Sequence, residues 1–314
     1  MQAKHGTEVK PSIAVLFITL NEEYHISAAI DNVKDIASEI FVVDSLSTDQ
    51  TVDIALAKGA KVVQRPFKDF GDQWNFALSL PIKSQWTMKM DPDERLSDEL
   101  KKEIIKNISD PQDYKGFSVS WMIHFLGRPI RCKSYHFLRI WKTGSCRFTP
   151  VIVNEHPIVK GKVRKLASRL IHLDSRDMHA WIDKQNRYSS QEALSRYLNK
   201  DRAAKPRLFG NVLERRVWFS NVFWHVPGRY QILFLINFIL KGAWRSGIDG
   251  WRWAVMRSFV KRAAEYKWRE MENTGREVHI PCKEKKAFRY HPAVLSSELQ
   301  QKYCPESLTE CNVK

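Results

Sequence analysis

The chain has 314 residues, 43% apolar and 27% charged, with 13 Gly and 13 Pro. This excludes disordered, collagen-like or linker-like material and allows one large domain or two smaller ones. Lys and Arg exceed Asp and Glu by 16, so an anionic partner is expected: nucleic acid, an acidic lipid surface or a phosphorylated substrate. The excess is uneven, with −6 over residues 1–100, +12 over 101–200 and +10 over 201–314, unlike a histone-like or ribosomal-type chain that is basic throughout.

Residues 1–11 are polar and lack the apolar core of a signal peptide, so they are read as a flexible N-terminus and the protein is expected to stay in the cytoplasm. Residues 12–19, SIAVLFIT, form a continuous apolar run rich in β-branched side chains, the pattern of a strand buried on both faces. Asn21 is placed to cap a helix whose apolar positions are Ile26, Ala29, Ile30 and Val33. Residues 39–44, EIFVVD, predict a second strand. Ser47 to Gln50 fits a capping box ahead of a helix with Val52, Ala55 and Leu56 inward, stopped at Gly59. KVVQ at 61–64 and WTMKM at 86–90 predict two more strands. Ser97 then caps an amphipathic helix reaching Ile108. This βαβ alternation predicts a parallel sheet covered by helices, with ligands at the carboxyl ends of its strands. Three polar clusters fall there: Thr19–Glu23, Asp44–Asp49 and Asp91–Glu94.

Two further strands are expected in GFSVSWMIHF and FLRIW, then a sheet extension at Val151–Val153 leading into Asn154-Glu155-His156, then a helix over 177–198. From about 205 the composition shifts: six of the 11 tryptophans lie between 218 and 268, interleaved with Arg and Lys. The apolar run 230–240 is about half the roughly 20 residues a membrane span needs. The tail after 275 is polar and expected to be loosely held. The five cysteines form no C-x-x-C pair, which gives no support to a zinc site or a disulfide framework.

Asp91-Pro92-Asp93-Glu94 carries the most chemistry. Two carboxylates separated by one residue at the end of a buried strand can share Mg²⁺ or Mn²⁺, with substrate phosphates completing the shell. ITLNEE at 18–23, VVDSLSTDQT at 42–51, GDQWNFAL at 71–78 and MDPDERLSDEL at 90–100 together resemble the inverting family 2 glycosyltransferases, nearest to the lipopolysaccharide-core β-glucosyltransferase type. The likeness continues more loosely through FLRIW, VNEH and IDGWRWA.

The resemblance implies a GT-A fold, a nucleotide-diphosphate sugar donor, UDP-linked by expectation, and a metal-dependent hexosyltransferase. It implies that Thr19, Leu20, Asn21 and Glu22 line the nucleotide pocket, and that Asp44 contacts the nucleobase. It further implies that Asp91 and Asp93 contact ribose and metal, that Gln73 and Asn75 belong to the donor site, and that Glu155 deprotonates the acceptor hydroxyl. His156 and His172 are read as structural. Departures from the family pattern are Leu46 where Gly or Ser is usual, Trp74 where Arg is common, Pro92 in place of Ala, and Asn154 in place of His. A left-handed turn at Leu46 would be strained.

The implied acceptor is a cell-surface glycolipid, a lipid-linked saccharide or a polysaccharide precursor. The alternatives are a polyprenyl-phosphate glycosyltransferase and a non-catalytic basic membrane- or RNA-binding protein on a GT-A scaffold. The Trp/Arg-rich segment has three readings: core, anionic membrane surface, or nucleic acid. The membrane reading is preferred, with the protein peripheral on the inner face of the cytoplasmic membrane. The expected organisation is a GT-A catalytic domain over 12–204, divided into a donor half 12–110 and an acceptor half 111–204, a helical extension over 205–275 and a polar tail over 276–314.

Overall fold

A computed structural model describes residues 12–149, 156–173, 175–198, 207–210, 212–277 and 290–305. In chain order the first part runs β1 (Ile13–Thr19), α1 (Glu23–Val33), β2 (Glu39–Asp44), α2 (Thr51–Ala57), β3 (Lys61–Gln64), α3 (Phe70–Ser79), β4 (Trp86–Met90), β5 (Glu94–Leu96) and α4 (Asp98–Ser109). The middle is strand-rich: β6 (Tyr114–Phe125), β7 (Arg128–Ile130), β8 (His136–Lys142), β9 (Cys146–Phe148), β10 (Pro157–Val159) and β11 (Lys162–His172). Helices close the chain: α5 (Met178–Tyr197), α6 (Val212–Phe223), α7 (Arg229–Leu235), α8 (Gly247–Thr274), α9 (Pro292–Leu295) and α10 (Glu298–Tyr303). A π-helical turn, Ile236–Leu240, and a 3-10 turn, Ala243–Ser246, join α7 to α8.

Among the described residues one nine-stranded sheet has the order β3-β2-β1-β4-β8-β6-β11-β5, with β7 paired to β6. β3, β2, β1 and β4 are parallel, β8 is antiparallel to both β4 and β6, and β5 is antiparallel to β11. The continuous apolar run of β1 follows from covering both faces. Ile13, Val15 and Phe17 join Ile26, Ile30, Leu100 and Ile104 on one side. Leu16 joins Phe41, Trp74, Trp141 and Phe148 on the other, as the two-residue period of a strand requires. Ser97 caps α4 by accepting from the Leu100 amide, and Gly59 takes φ +82° behind α2.

The C-terminal region differs from expectation in two ways. First, α5 and α8 pack together as one helical layer across the expected boundary at 204, and the Lys267 ammonium donates to Asn186, Ser189 and Ser190 of α5. Second, part of the tail is fixed. Residues 290–305 dock on β3, where the buried Gln300 side chain donates to the Gln64 carbonyl at 2.7 Å and accepts from the Gln64 amide at 2.8 Å. A side-chain amide thus satisfies a sheet edge that would otherwise expose its backbone groups. No described helix is long and apolar enough to cross a membrane.

Candidate active site

The β1–α1 and β2–α2 loops are built against each other. Asn21 does not cap α1, because its backbone is left-handed (φ +57°) and its side-chain oxygen accepts from the Thr48 amide at 2.8 Å. The amides opening α1 are taken by the neighbouring loop instead: Asn21 donates to Ser47 Oγ (2.8 Å), Glu22 to Thr51 Oγ1 (2.7 Å) and Glu23 to Asp49 (3.2 Å). Ser47 therefore bridges loops rather than closing a capping box. Leu46 takes φ +61°, a conformation that costs a residue with a side chain roughly 1–2 kcal/mol. Burial of its side chain offsets part of that cost.

Asp44 lies beneath these loops and is fully buried. Its carboxylate accepts from Thr19 Oγ1 (2.8 Å), the Ser47 amide (2.8 Å), the Ser47 hydroxyl and Gln64 Nε2 (2.9 Å). A carboxylate offers about four acceptor positions, so this one is filled. Gln64 in turn accepts from the His291 amide, and its backbone is held by Gln300. A hydrogen-bonded chain thus runs from the C-terminal segment to the end of β2.

Asp91 and Asp93 follow β4. Asp93 accepts from Lys184 Nζ at 2.9 Å and faces His172 Nε2 at 3.5 Å. Burial works to raise its carboxyl, but His172 and Lys184 outweigh it and hold it well below the usual carboxylate range. Asp91 is more open and lies 3.2 Å from Arg139; burial opposes its ionisation, and Lys89 and Arg139 restore it. Glu22 completes an acidic cluster: burial, then the nearby Asp93, pushes its carboxyl up to about 7. Glu94 is structural. Fully buried, it accepts from the Asp91 amide (2.9 Å), Trp121 Nε1 (2.6 Å) and Arg139 (2.5 Å). Burial raises its carboxyl to about 7, with Arg139 pulling against that. The Glu94–Arg139–Trp121 set binds β5, β8 and β6 behind the two aspartates; Glu94 and Arg139 lie in motifs noted in the sequence, but nothing local joins them to each other or to Trp121.

The structure therefore brings Thr19, Asn21, Glu22, Asp44, Asp91 and Asp93 to the carboxyl ends of β1, β2 and β4. Leu20 is exposed on the rim. Gln73 and Asn75 approach from behind. Gln73 is fully buried and donates to Ser45 Oγ (3.1 Å), while Asn75 pairs with the backbone of Phe148 at 2.8 and 3.1 Å. Trp74 is fully buried against Phe148, and the Lys89 ammonium lies 4.4 Å from its ring centre. A cation from β4 thus reaches the neighbourhood where the family commonly carries an Arg on α3. Glu155 lies outside the described residues. His172, read as structural from its own surroundings, stands against Asp93 and stacks on Trp121 with ring centres 4.8 Å apart.

The sequence profile of Glycosyl transferase family 2 matches residues 14–150. An uncharacterized glycosyltransferase of Rickettsia typhi is 30% identical over 280 residues, covering 85% of this chain and 89% of the relative. The chain belongs to glycosyl transferase family 2. A Rickettsia conorii glycosyltransferase, also uncharacterized, is 28% identical over 85% of this chain and 93% of its own length. A mannosyltransferase from Pyrobaculum calidifontis, solved with GDP-Man and Mn²⁺, superposes with a TM-score of 0.51 at 18% identity, covering 83% of this chain and 87% of that one. That likeness shows the GT-A fold, which family membership and the parallel β3-β2-β1-β4 unit support.

Proposed function

We propose that this family 2 member is an inverting, metal-dependent hexosyltransferase. It would move a hexose from a nucleotide-diphosphate sugar, UDP-linked in our reading, to a lipid-linked glycan precursor such as a lipopolysaccharide-core glycolipid, at the inner face of the cytoplasmic membrane. The observation that carries this reading is the cluster of Glu22, Asp91 and Asp93 at the ends of adjacent strands β1 and β4, balanced by His172, Lys184 and Arg139.

The donor set fits a divalent cation. Among the described residues no three carboxylate, imidazole or thiolate groups form an ion site by themselves. A cation here would be held by Asp91 and Asp93, displacing part of their ion pairing with His172, Lys184 and Arg139, with substrate phosphate and water completing its shell, as Mg²⁺ and Mn²⁺ sites in phosphate-transferring enzymes commonly do. When bound, it would neutralise charge on the departing diphosphate. The chain's own residues do the rest. Thr19, Leu20, Asn21 and Glu22 form the nucleotide wall. Asp44 holds that wall in place through Thr19 and Ser47, while Gln73 and Asn75 set its back. Asp91 lies beside the ribose. Lys89 brings positive charge to the side of Asp91 that Trp74 cannot. Glu155 takes the acceptor proton as the acceptor oxygen bonds to the anomeric carbon and the bond to the diphosphate breaks on the opposite face. Release of nucleoside diphosphate from a panel of sugar nucleotides, with and without Mn²⁺, tests the reading: failure of every donor would refute it.

A further inference from the structure

The six clustered tryptophans divide by environment. Trp253 is buried against Phe125, Ile130 and Trp181. Trp224 and Trp268 clasp Arg196, with its guanidinium 4.7 and 4.0 Å from their ring centres. Trp218 is half-buried. Trp244 and Trp251 instead face solvent, 56% and 47% exposed. They stand with Ile239, Leu240 and Ile248, each more than half exposed, on the knuckle that joins α7 to α8. The knuckle is firmly built. Gly250 approaches the Ala243 carbonyl so closely that an added Cβ would lie 1.9 Å from it, and Ala243 and Trp253 pack into the cluster beneath.

A second element completes this surface. The loop between β7 and β8 is tied to the knuckle: the Lys133 amide donates to the Lys241 carbonyl (2.7 Å), the Arg131 amide to Ser246 Oγ (2.7 Å), and Arg245 to the Arg131 carbonyl (3.0 Å). Arg128, Arg131, Lys133, Arg245 and Arg252 are exposed on the same two elements that carry the exposed Trp and Ile side chains, while Lys241 is half-buried and bonds Asn237. Asp249, the acid set among them, is buried and already paired with Arg128 and Arg252.

We propose that this composite face, the α7–α8 knuckle with the β7–β8 loop, is the surface that docks on an anionic lipid bilayer. The proposal rests on the membrane reading above and names its surface. Exposed apolar side chains of this kind enter the headgroup–acyl boundary to about 5–10 Å, and Trp favours that depth. Exposed cations are what anionic headgroups attract. A second copy of the chain fits poorly, because a two-fold contact would set this cationic patch against itself. RNA would meet the cations and tryptophans but would leave Ile239, Leu240 and Ile248 without apolar partners. The surface is also connected to the site. β6 bonds the Asp91-Glu94 turn through Trp121 and ends four residues later, at Phe125, in the hairpin beside this face. That is about 13 Å of strand, a reach suited to an acceptor whose lipid stays in the bilayer.

The test uses the full chain and vesicles of phosphatidylcholine with or without phosphatidylglycerol, read by co-sedimentation across a salt series. Binding should require phosphatidylglycerol and weaken in high salt. Arg131→Gln and Lys133→Gln together should lower affinity by about fivefold per cation removed. Trp244→Ser with Trp251→Ser should remove the salt-resistant part while preserving the thermal melt. Arg262 stacks on Tyr230 and Lys261 pairs with Glu192, so a neutralised Lys261/Arg262 pair serves as the contrast and should retain vesicle binding. Wild-type protein that ignores anionic vesicles, folded variants that bind as well as wild type, or a concentration-dependent dimer abolished by the Trp substitutions would each overturn the proposal. Lipid-free donor hydrolysis measured in parallel separates the two readings: vesicle failure with hydrolysis intact removes only the docking surface, and loss of hydrolysis with vesicle binding intact removes only the enzyme reading.

Discussion

The donor half and the C-terminal helices handle polarity in opposite ways. Around β1, β2 and β4 the chain turns carboxylates and amides inward and satisfies them: Asp44 accepts four hydrogen bonds in full burial, and Glu94 accepts three. Around the α7–α8 knuckle it turns Trp, Ile and Leu outward on elements that also expose Arg and Lys. Inward polar networks of the first kind set geometry, because a partly satisfied buried group is costly and only one arrangement satisfies all of them. Outward apolar groups of the second kind gain nothing within the monomer and make sense against a partner. The comparison teaches that the polar preorganisation sits at the carboxyl ends of β1, β2 and β4, and that the surface proposed for docking sits in the C-terminal region.

Substitutions in the two halves should therefore separate. The largest effect is expected at Asp93, the proposed metal ligand. Asp93→Asn keeps the shape and removes the charge, and should abolish Mn²⁺-dependent turnover in a nucleoside-diphosphate release assay while vesicle binding survives. Next, Glu155→Gln should cut kcat by about 10²–10⁴-fold with donor affinity unchanged, the usual worth of a positioned base. A collapse of donor binding instead would move Glu155 into the donor site. Third, Arg139→Met leaves Glu94 buried without its cation, and should lower unfolding free energy by about 3–5 kcal/mol in urea titrations. A loss below 1 kcal/mol would mean that Glu94 is held by Trp121 and the Asp91 amide alone. The smallest effect is expected farthest along the chain. Gln300→Ala breaks two hydrogen bonds to Gln64, the residue that supports Asp44. At about 0.5–1.5 kcal/mol each, it should lower the unfolding free energy and, through Asp44, raise the donor KM with kcat nearly unchanged. An equal loss in kcat would show that the tail does more than support the nucleotide wall.

Much of the donor half could be read from the chain itself. The apolar runs of β1, β2 and β4, the Ser97 cap and the Gly59 stop are local signals, and local chemistry decides them. The strain at Leu46 was also legible, since only backbone geometry was at issue. Asn21 and Ser47 were not read correctly as caps. A residue that caps its own helix and one that bonds the neighbouring loop look alike in sequence, and here the contacts span 26 and 27 positions. The tail was opaque for the same reason: Gln300 meets Gln64 across 236 positions, and nothing in a polar segment announces which sheet edge it will complete. The pairing of His172 with Asp93 likewise depends on β11 returning beside β6 and β5. In the C-terminal region six tryptophans were visible as a group, but only their packing separates core, clasp and surface.

The most direct measurement is titration calorimetry of UDP into the full chain with saturating Mn²⁺, in EDTA, and with Asp93→Asn. The account predicts binding in Mn²⁺ that is lost both in EDTA and in the variant. Equal binding under all three conditions, or no binding of UDP or GDP to the folded wild-type protein in Mn²⁺, would contradict it.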